Sequence, residues 1–208
     1  TVHPSFATPI WTMQLDPSTW ISLNKNLSEE IYKLKKTTKG IESSNYKGGG
    51  WHSDVSLHIQ AEFQIFVNIL GNLLSELSGS LKINSAFGLK LEELWACINP
   101  SQAYSAPHTH APAHLSGVYY VSAPKEVGDL AIWDPRQQTS LCPFPLDPSQ
   151  NPPYVLGNQT VEISPTAGLL VVFPAWLRHE AYPNNADNNL DRVVLSFNAQ
   201  YHKLKKEE

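Results

Sequence analysis

PHTHAPAHLSGVYYV, residues 107–121, sets three histidines directly before a strongly β-prone run. On an extended chain, side chains two apart share a face, so His108 and His110 aim at one point while Thr109 turns away. His114 falls where the chain enters the following strand and is the weakest ligand of the three. A further donor must come from elsewhere. In GLLVVFPAWLRHEAYPN (168–184) an apolar strand runs into a Pro-bounded turn and then presents His179. His108, His110 and His179 therefore form a candidate metal-binding face. Imidazole suits iron, zinc, copper and nickel alike, so these three residues do not choose the metal. His3, His52, His58 and His202 have no comparable partners and read as structural.

Outward from this segment, short β-prone runs at 91–98, 115–123, 129–133, 160–164, 169–173 and 192–199 are punctuated by Pro, Gly and Asn. Strands at this spacing predict a mainly β fold, a double-stranded β-helix of the jelly-roll, cupin-like kind, with N-terminal helices packed on one sheet. The first helix is expected from Asp16, a cap, and Pro17, with Leu23, Leu27, Ile31 and Leu34 at helical spacing and Gly40 ending it. A second amphipathic helix is expected from about His58 to Leu77. Between them Gly48, Gly49 and Gly50 make a lid or a turn. Residues 137–157 carry five prolines and read as a surface insertion. One domain over 1–208 is expected, helical over 1–81 and β-helical over 82–202.

A net charge of -4 gives no general attraction to nucleic acid, and Lys33, Lys35, Lys36 and Lys39 read as a solvated helix face. No apolar run approaches a membrane span. Two cysteines, Cys97 and Cys142, and an opening without a signal-peptide pattern favour a cytoplasmic setting. Nothing in the sequence fixes the oligomeric state, and a homodimer stays open.

The residue that narrows the chemistry is Arg192. In DRVVLSF, Arg192, Val194 and Ser196 share one face of the last strand, which places a guanidinium and a hydroxyl side by side inside the barrel. A buried arginine needs an anion, and a substrate carboxylate would take a charge-assisted pair with it and a bond from Ser196. The alternative is an outward arginine paired with Asp191 or Asp187. Trp95, Trp133 and Trp176 are candidate pocket walls, against the plainer role of core aromatics.

The order HTH, SGVYYV, GDLAIWDPR, PTAGLLVVFPAWLRHEAYPN and RVVLSFN resembles the 2-oxoglutarate and iron(II)-dependent oxygenases, and more narrowly a prolyl-hydroxylase-like group of bacterial and phage proteins. FATPIW, GGGWHSD and LWACINP extend the resemblance over most of the chain. It implies that His108 and His179 bind iron(II), that Arg192 pairs with the distal carboxylate of 2-oxoglutarate, and that Ser196 and Tyr120 hydrogen-bond to it. The implied reaction couples oxidative decarboxylation of 2-oxoglutarate to hydroxylation of an unactivated C–H bond in a peptide or small molecule. One position departs from the pattern. The superfamily has His-x-Asp or His-x-Glu where this chain has His108-Thr109-His110, which leaves His110 or an acidic residue such as Asp134 as the third ligand. Two rivals remain. In a cupin reading, Gly168, Pro174 and His179 form a second motif, His114 takes the place of a glutamate ligand and 2-oxoglutarate is not used. In the other, the chain is a non-catalytic member of the fold. An inward-facing Arg192 separates the first rival from the oxygenase.

Overall fold

The computed structural model describes residues 6–41, 45–136, 141, 145, 160–186 and 190–204. In chain order these form β1 (Trp11–Gln14), α1 (Pro17–Thr37), β2 (Tyr46–Lys47), β3 (Trp51–His52), two 3-10 turns (Leu57–Ile59 and Ala61–Phe63), α2 (Gln64–Ser80) and β4 (Phe87–Asn99). There follow β5 (Tyr104–His108), β6 (Leu115–Ser122), β7 (Leu130–Trp133), β8 (Thr160–Ile163), β9 (Leu169–Pro174), β10 (His179–Ala181) and β11 (Arg192–Lys203). The strands pair antiparallel in a six-stranded major sheet, β1-β9-β6-β11-β4-β3, and a five-stranded minor sheet, β2-β5-β10-β7-β8. From β4 onward the chain passes repeatedly from one sheet to the other, which is the winding of a double-stranded β-helix.

Alternation along the strands separates two cores. Val193, Leu195 and Phe197 of β11 turn outward with Leu94, Ala96 and Ile98 of β4, and α1 and α2 cover them. Asp16 caps α1 by accepting from the Ser18 N–H at 2.8 Å, and Pro17 occupies the first turn. The helix buries Leu23, Leu27 and Ile31, and α2 buries Phe66, Leu70 and Leu74, each contributing about 1.5–3 kcal/mol. Asn24 sits in this apolar layer fully paired: its amide donates to the Val121 carbonyl at 2.8 Å and its carbonyl accepts from the Tyr119 hydroxyl at 2.6 Å. The second core lies between the sheets and includes Trp95, Cys97, Tyr120, Val171, Phe173 and Val194.

The N-terminal part, expected to be helical, contains both helices and three short strands besides. β1 extends the major sheet beside β9, β3 closes its other edge against β4, and β2 pairs with β5 in the minor sheet. The glycine-rich segment is the turn between β2 and β3. It places Trp51 and His52 in the interior. The second helix starts at Gln64 rather than His58, because the preceding residues wind as two separate 3-10 turns. The expected insertion at 137–157 lies outside the described residues, apart from Leu141 and Pro145. No described helix is long and apolar enough to cross a membrane.

Candidate active site

The histidine segment is the crossover between the sheets. β5 ends at His108 in the minor sheet, and residues 109–114 carry the chain over to β6 in the major sheet. His108 lies directly opposite His179 in the β5–β10 ladder. His110, two residues past the strand end, is held by its own N–H, which donates to the Ala175 carbonyl at 2.9 Å. Ring centroids are 4.4 Å apart for His108 and His179, 4.8 Å for His108 and His110, and 5.0 Å for His110 and His179. One nitrogen from each ring lies within 4.8 Å of the others.

Two of these rings are oriented from behind. His108 Nδ1 donates to the Ala106 carbonyl at 2.7 Å and His179 Nδ1 to the Leu177 carbonyl at 2.9 Å, which leaves each Nε2 lone pair for an ion. Burial, reinforced by the neighbouring His108, pushes His110 down to about 4 and His179 down to about 3, and burial also lowers His108. At neutral pH the three rings are neutral donors. Among the described residues no carboxylate joins them. Asp134, the acidic alternative, is held in a two-pronged pair with Arg136, at 3.0 Å to Nε and 2.7 Å to Nη2. His114 is also excluded from the cluster: its Nδ1 accepts from the Tyr201 N–H at 3.3 Å and its ring packs edge-on against Tyr201.

Arg192 occupies the other end of the same cavity. It is 2% exposed, and Asp191 is engaged elsewhere by the Tyr32 hydroxyl at 2.6 Å, so an outward pairing with Asp191 is not what forms; Asp187 lies outside the described residues. Nη1 donates to the carbonyls of Val127 at 2.5 Å, Tyr182 at 2.9 Å and Gly128 at 3.3 Å. Gly128 has φ +81°, and a Cβ there would run into the Tyr182 and Pro183 carbonyls, so glycine lets this cradle close. Nη2 is buried with no hydrogen-bond partner among the described residues. Burial lowers the pKa of Arg192 while Tyr120, Cys97 and Tyr46 act in the other direction. The charge persists.

The cavity between the histidines and Arg192 has about 530 Å³ of empty space including its mouth, and Tyr120, Val194 and Ser196 line it. Burial pushes Tyr120 up to about 12, which keeps its phenol protonated as a donor. Trp95 is a wall, as expected, with its ring 5.5 Å from His110. Trp133 and Trp176 are not. Trp133 donates to Glu180 at 2.9 Å beneath the Arg178 guanidinium, and Trp176 is half exposed.

Sequence reasoning missed Tyr46, Asn99 and Ser105, which also line the cavity. Asn99 Oδ1 and Ser105 Oγ are buried without partners, like Arg192 Nη2. Only Asn99 left a trace, at the alternate spacing of Trp95 and Cys97. Tyr46 and Ser105 come from strands that carry no periodic signal.

A family model described as "Putative 2OG-Fe(II) oxygenase" matches residues 93–198, just over half of the 208-residue chain. The chain belongs to the 2OG-Fe(II) oxygenase family. This oxygenase therefore works with ferrous iron and 2-oxoglutarate. No curated protein matches its sequence. Its fold is shared with solved structures. A Pseudomonas putida prolyl-4-hydroxylase has a TM-score of 0.64 at 15% identity, covering 93% of each chain. A prolyl hydroxylase from Trichoplax adhaerens, in complex with a hypoxia inducible factor oxygen degradation domain peptide fragment, has 0.63 at 14%, over 92% of this chain and 83% of that one. The epimerase SnoN, in complex with Fe3+, alpha ketoglutarate and nogalamycin RO, has 0.58 at 16%, over 95% and 82%.

Both cofactors fit the residues present. Three neutral imidazoles suit a divalent transition metal, and the buried, half-satisfied Arg192 suits a dianionic co-substrate.

Proposed function

We propose that His108, His110 and His179 hold the iron, that Arg192, Ser196 and Tyr120 bind 2-oxoglutarate, and that the oxygenase hydroxylates an unactivated C–H bond of a peptide or small molecule. The observation that carries this reading is the unpaired Arg192 Nη2, buried at one end of a cavity whose other end is three imidazoles. A guanidinium so placed, with no acidic side chain against it among the described residues, is a receptor for an anion. The inward arginine also separates this site from a cupin that does not use 2-oxoglutarate.

When bound, iron and 2-oxoglutarate together supply dioxygen activation coupled to oxidative decarboxylation. The chain's own contribution is positioning. His108 and His179 offer Nε2 because their Nδ1 hydrogens are tied to backbone carbonyls, and His110 is carried into place by its backbone bond to Ala175. Arg192 Nη2 would take the far carboxylate while Nη1 stays anchored, and Tyr120 and Ser196 would add hydrogen bonds from the cavity wall. Trp95, Phe173 and Val194 keep water from the space between. His108, His110 and His179, all neutral, would leave a bound ion its full positive charge, which a dianionic co-substrate would offset.

The fold shared with the peptide-bound Trichoplax enzyme supports a peptide, and the fold shared with SnoN supports a small molecule. The reading also takes the protein as one cytoplasmic oxygenase unit with no nucleic-acid or membrane partner, on its charge balance and cysteine usage. Anaerobic titration of the iron(II)-loaded protein with 2-oxoglutarate tests it. A weak visible charge-transfer band that fades in Arg192→Ala is expected; no band in iron-replete wild-type protein overturns the reading.

A further inference from the structure

The ladder registers of the major sheet measure position along the cavity. One rung on its inner face runs Val171, Val118, Ser196, Trp95, and the next runs Phe173, Ser116, Asn198, Glu93. The Trp95 ring is 5.5 Å from His110 and the Phe173 ring 4.6 Å from His179, so the three histidines face these two rungs. Arg192 lies six residues from Asn198 along β11, roughly 20 Å at an extended rise. A co-substrate reaching from Arg192 to the histidines therefore leaves the Glu93 rung free, on the side away from its anchor.

Three of the four residues in that rung are polar, against Ser196 alone in the rung before it. Asn198 is 7% exposed; its amide donates to Glu93 Oε2 at 2.6 Å, which fixes its orientation, and its Oδ1 is buried without a partner. Glu93 is half-buried, and among the described residues its side chain has no cation within ion-pair distance and no hydrogen bond other than the one to Asn198. A bulge opposite Asn198 and Ala199 lets Leu91 and Leu89 pack against the helices while Glu93 keeps the cavity face. Bulges commonly re-aim a side chain beside an active site. The row adjoins the cavity through Ser116 and Phe173.

We propose that Glu93 and Asn198 form the subsite that recognises the primary substrate through a cationic group, an ammonium or guanidinium. An uncompensated carboxylate and a fixed, unpaired carbonyl together present acceptors only, and one cation with several N–H groups satisfies both. This assignment rests on the iron and co-substrate placement proposed above.

The test uses protein loaded with manganese(II) and 2-oxoglutarate, and follows paramagnetic relaxation of the protons of n-butylguanidinium, n-butanol and butyrate as probes. Water-proton relaxivity on the same sample reports first whether manganese and 2-oxoglutarate bind; failure there overturns the placement of the cofactors. With both bound, enhancement is expected for n-butylguanidinium, little for n-butanol and none for butyrate, with at least a ten-fold weaker affinity in Glu93→Gln. Glu93→Lys, with a melting curve as its control, is expected to shift the preference to butyrate. Equal guanidinium affinity in wild-type and Glu93→Gln protein, or none in wild type, overturns the subsite.

Discussion

The two faces of β11 serve opposite ends. Val193, Leu195 and Phe197 point toward the helices and are sealed in apolar contact, while Arg192, Val194, Ser196 and Asn198 alternate with them and face the space between the sheets. On the helix side the buried polar side chains Asn24 and Tyr119 satisfy each other. On the cavity side Arg192 Nη2, Asn99 Oδ1, Ser105 Oγ and Asn198 Oδ1 have no partner among the described residues. Trp51 Nε1 is unpaired in the helix-side core as well, yet four of the seven such atoms among the described residues belong to the cavity side; at about 1–3 kcal/mol each, they mark a face where stability yields to ligand binding. One strand serves both ends because successive side chains belong to different layers.

Substitutions on each face sharpen that contrast. Phe197→Ala, on the helix side, is expected to lose about 3–5 kcal/mol of stability in urea unfolding and to leave 2-oxoglutarate affinity unchanged in the folded protein. A selective loss of affinity would break the division. Arg192→Leu should show the reverse readout: the rise in melting temperature on adding 2-oxoglutarate to the metal-loaded protein disappears, with affinity lower by about 3 kcal/mol, roughly 100-fold or more. A retained thermal shift would remove Arg192 from the co-substrate site.

Acid should act on the cavity face through its buried histidines. The folded values of His110, about 4, and His179, about 3, lie below the ordinary 6.5, so on acidification the unfolded chain takes up protons first. The stability carried by the neutral rings is whole above about pH 6.5 and is lost progressively as pH falls toward those folded values. Metal-free protein is expected to lose about 1 kcal/mol per pH unit for each of these rings between pH 6 and 4.5, by urea midpoints. His110→Gln should lessen that slope, and an identical slope would detach it from the histidines. The smallest effect belongs to Ser196→Ala, a single neutral hydrogen bond, with about a five-fold loss of 2-oxoglutarate affinity by calorimetry.

Much of this was legible in the sequence where periodicity was strong. The apolar runs at 115–123, 169–173 and 192–199 correspond to β6, β9 and β11, and the alternation in RVVLSF places Arg192 and Ser196 in the cavity. β5 was missed because YSAPH carries a proline and no apolar alternation, and β10 because three residues give no period. β1, β2 and β3 are strands only through their pairing partners, which is why the N-terminal part read as helical. The His108 and His110 spacing was readable, yet its cause differs in part: β5 stops at His108, and His110 is placed by Ala175 from the loop before β10. Tyr46 and Ser105 gave no signal because their roles arise from the pairing of β2 with β5.

The central claim is that three imidazoles, with no carboxylate, hold the iron. X-ray absorption at the iron edge of anaerobic iron(II)-loaded protein, in wild type and in His110→Ala, measures it most directly. Imidazole scattering from three rings in wild type, falling to two in the variant, is the predicted result; two rings in both proteins would contradict it and return the third position to a carboxylate.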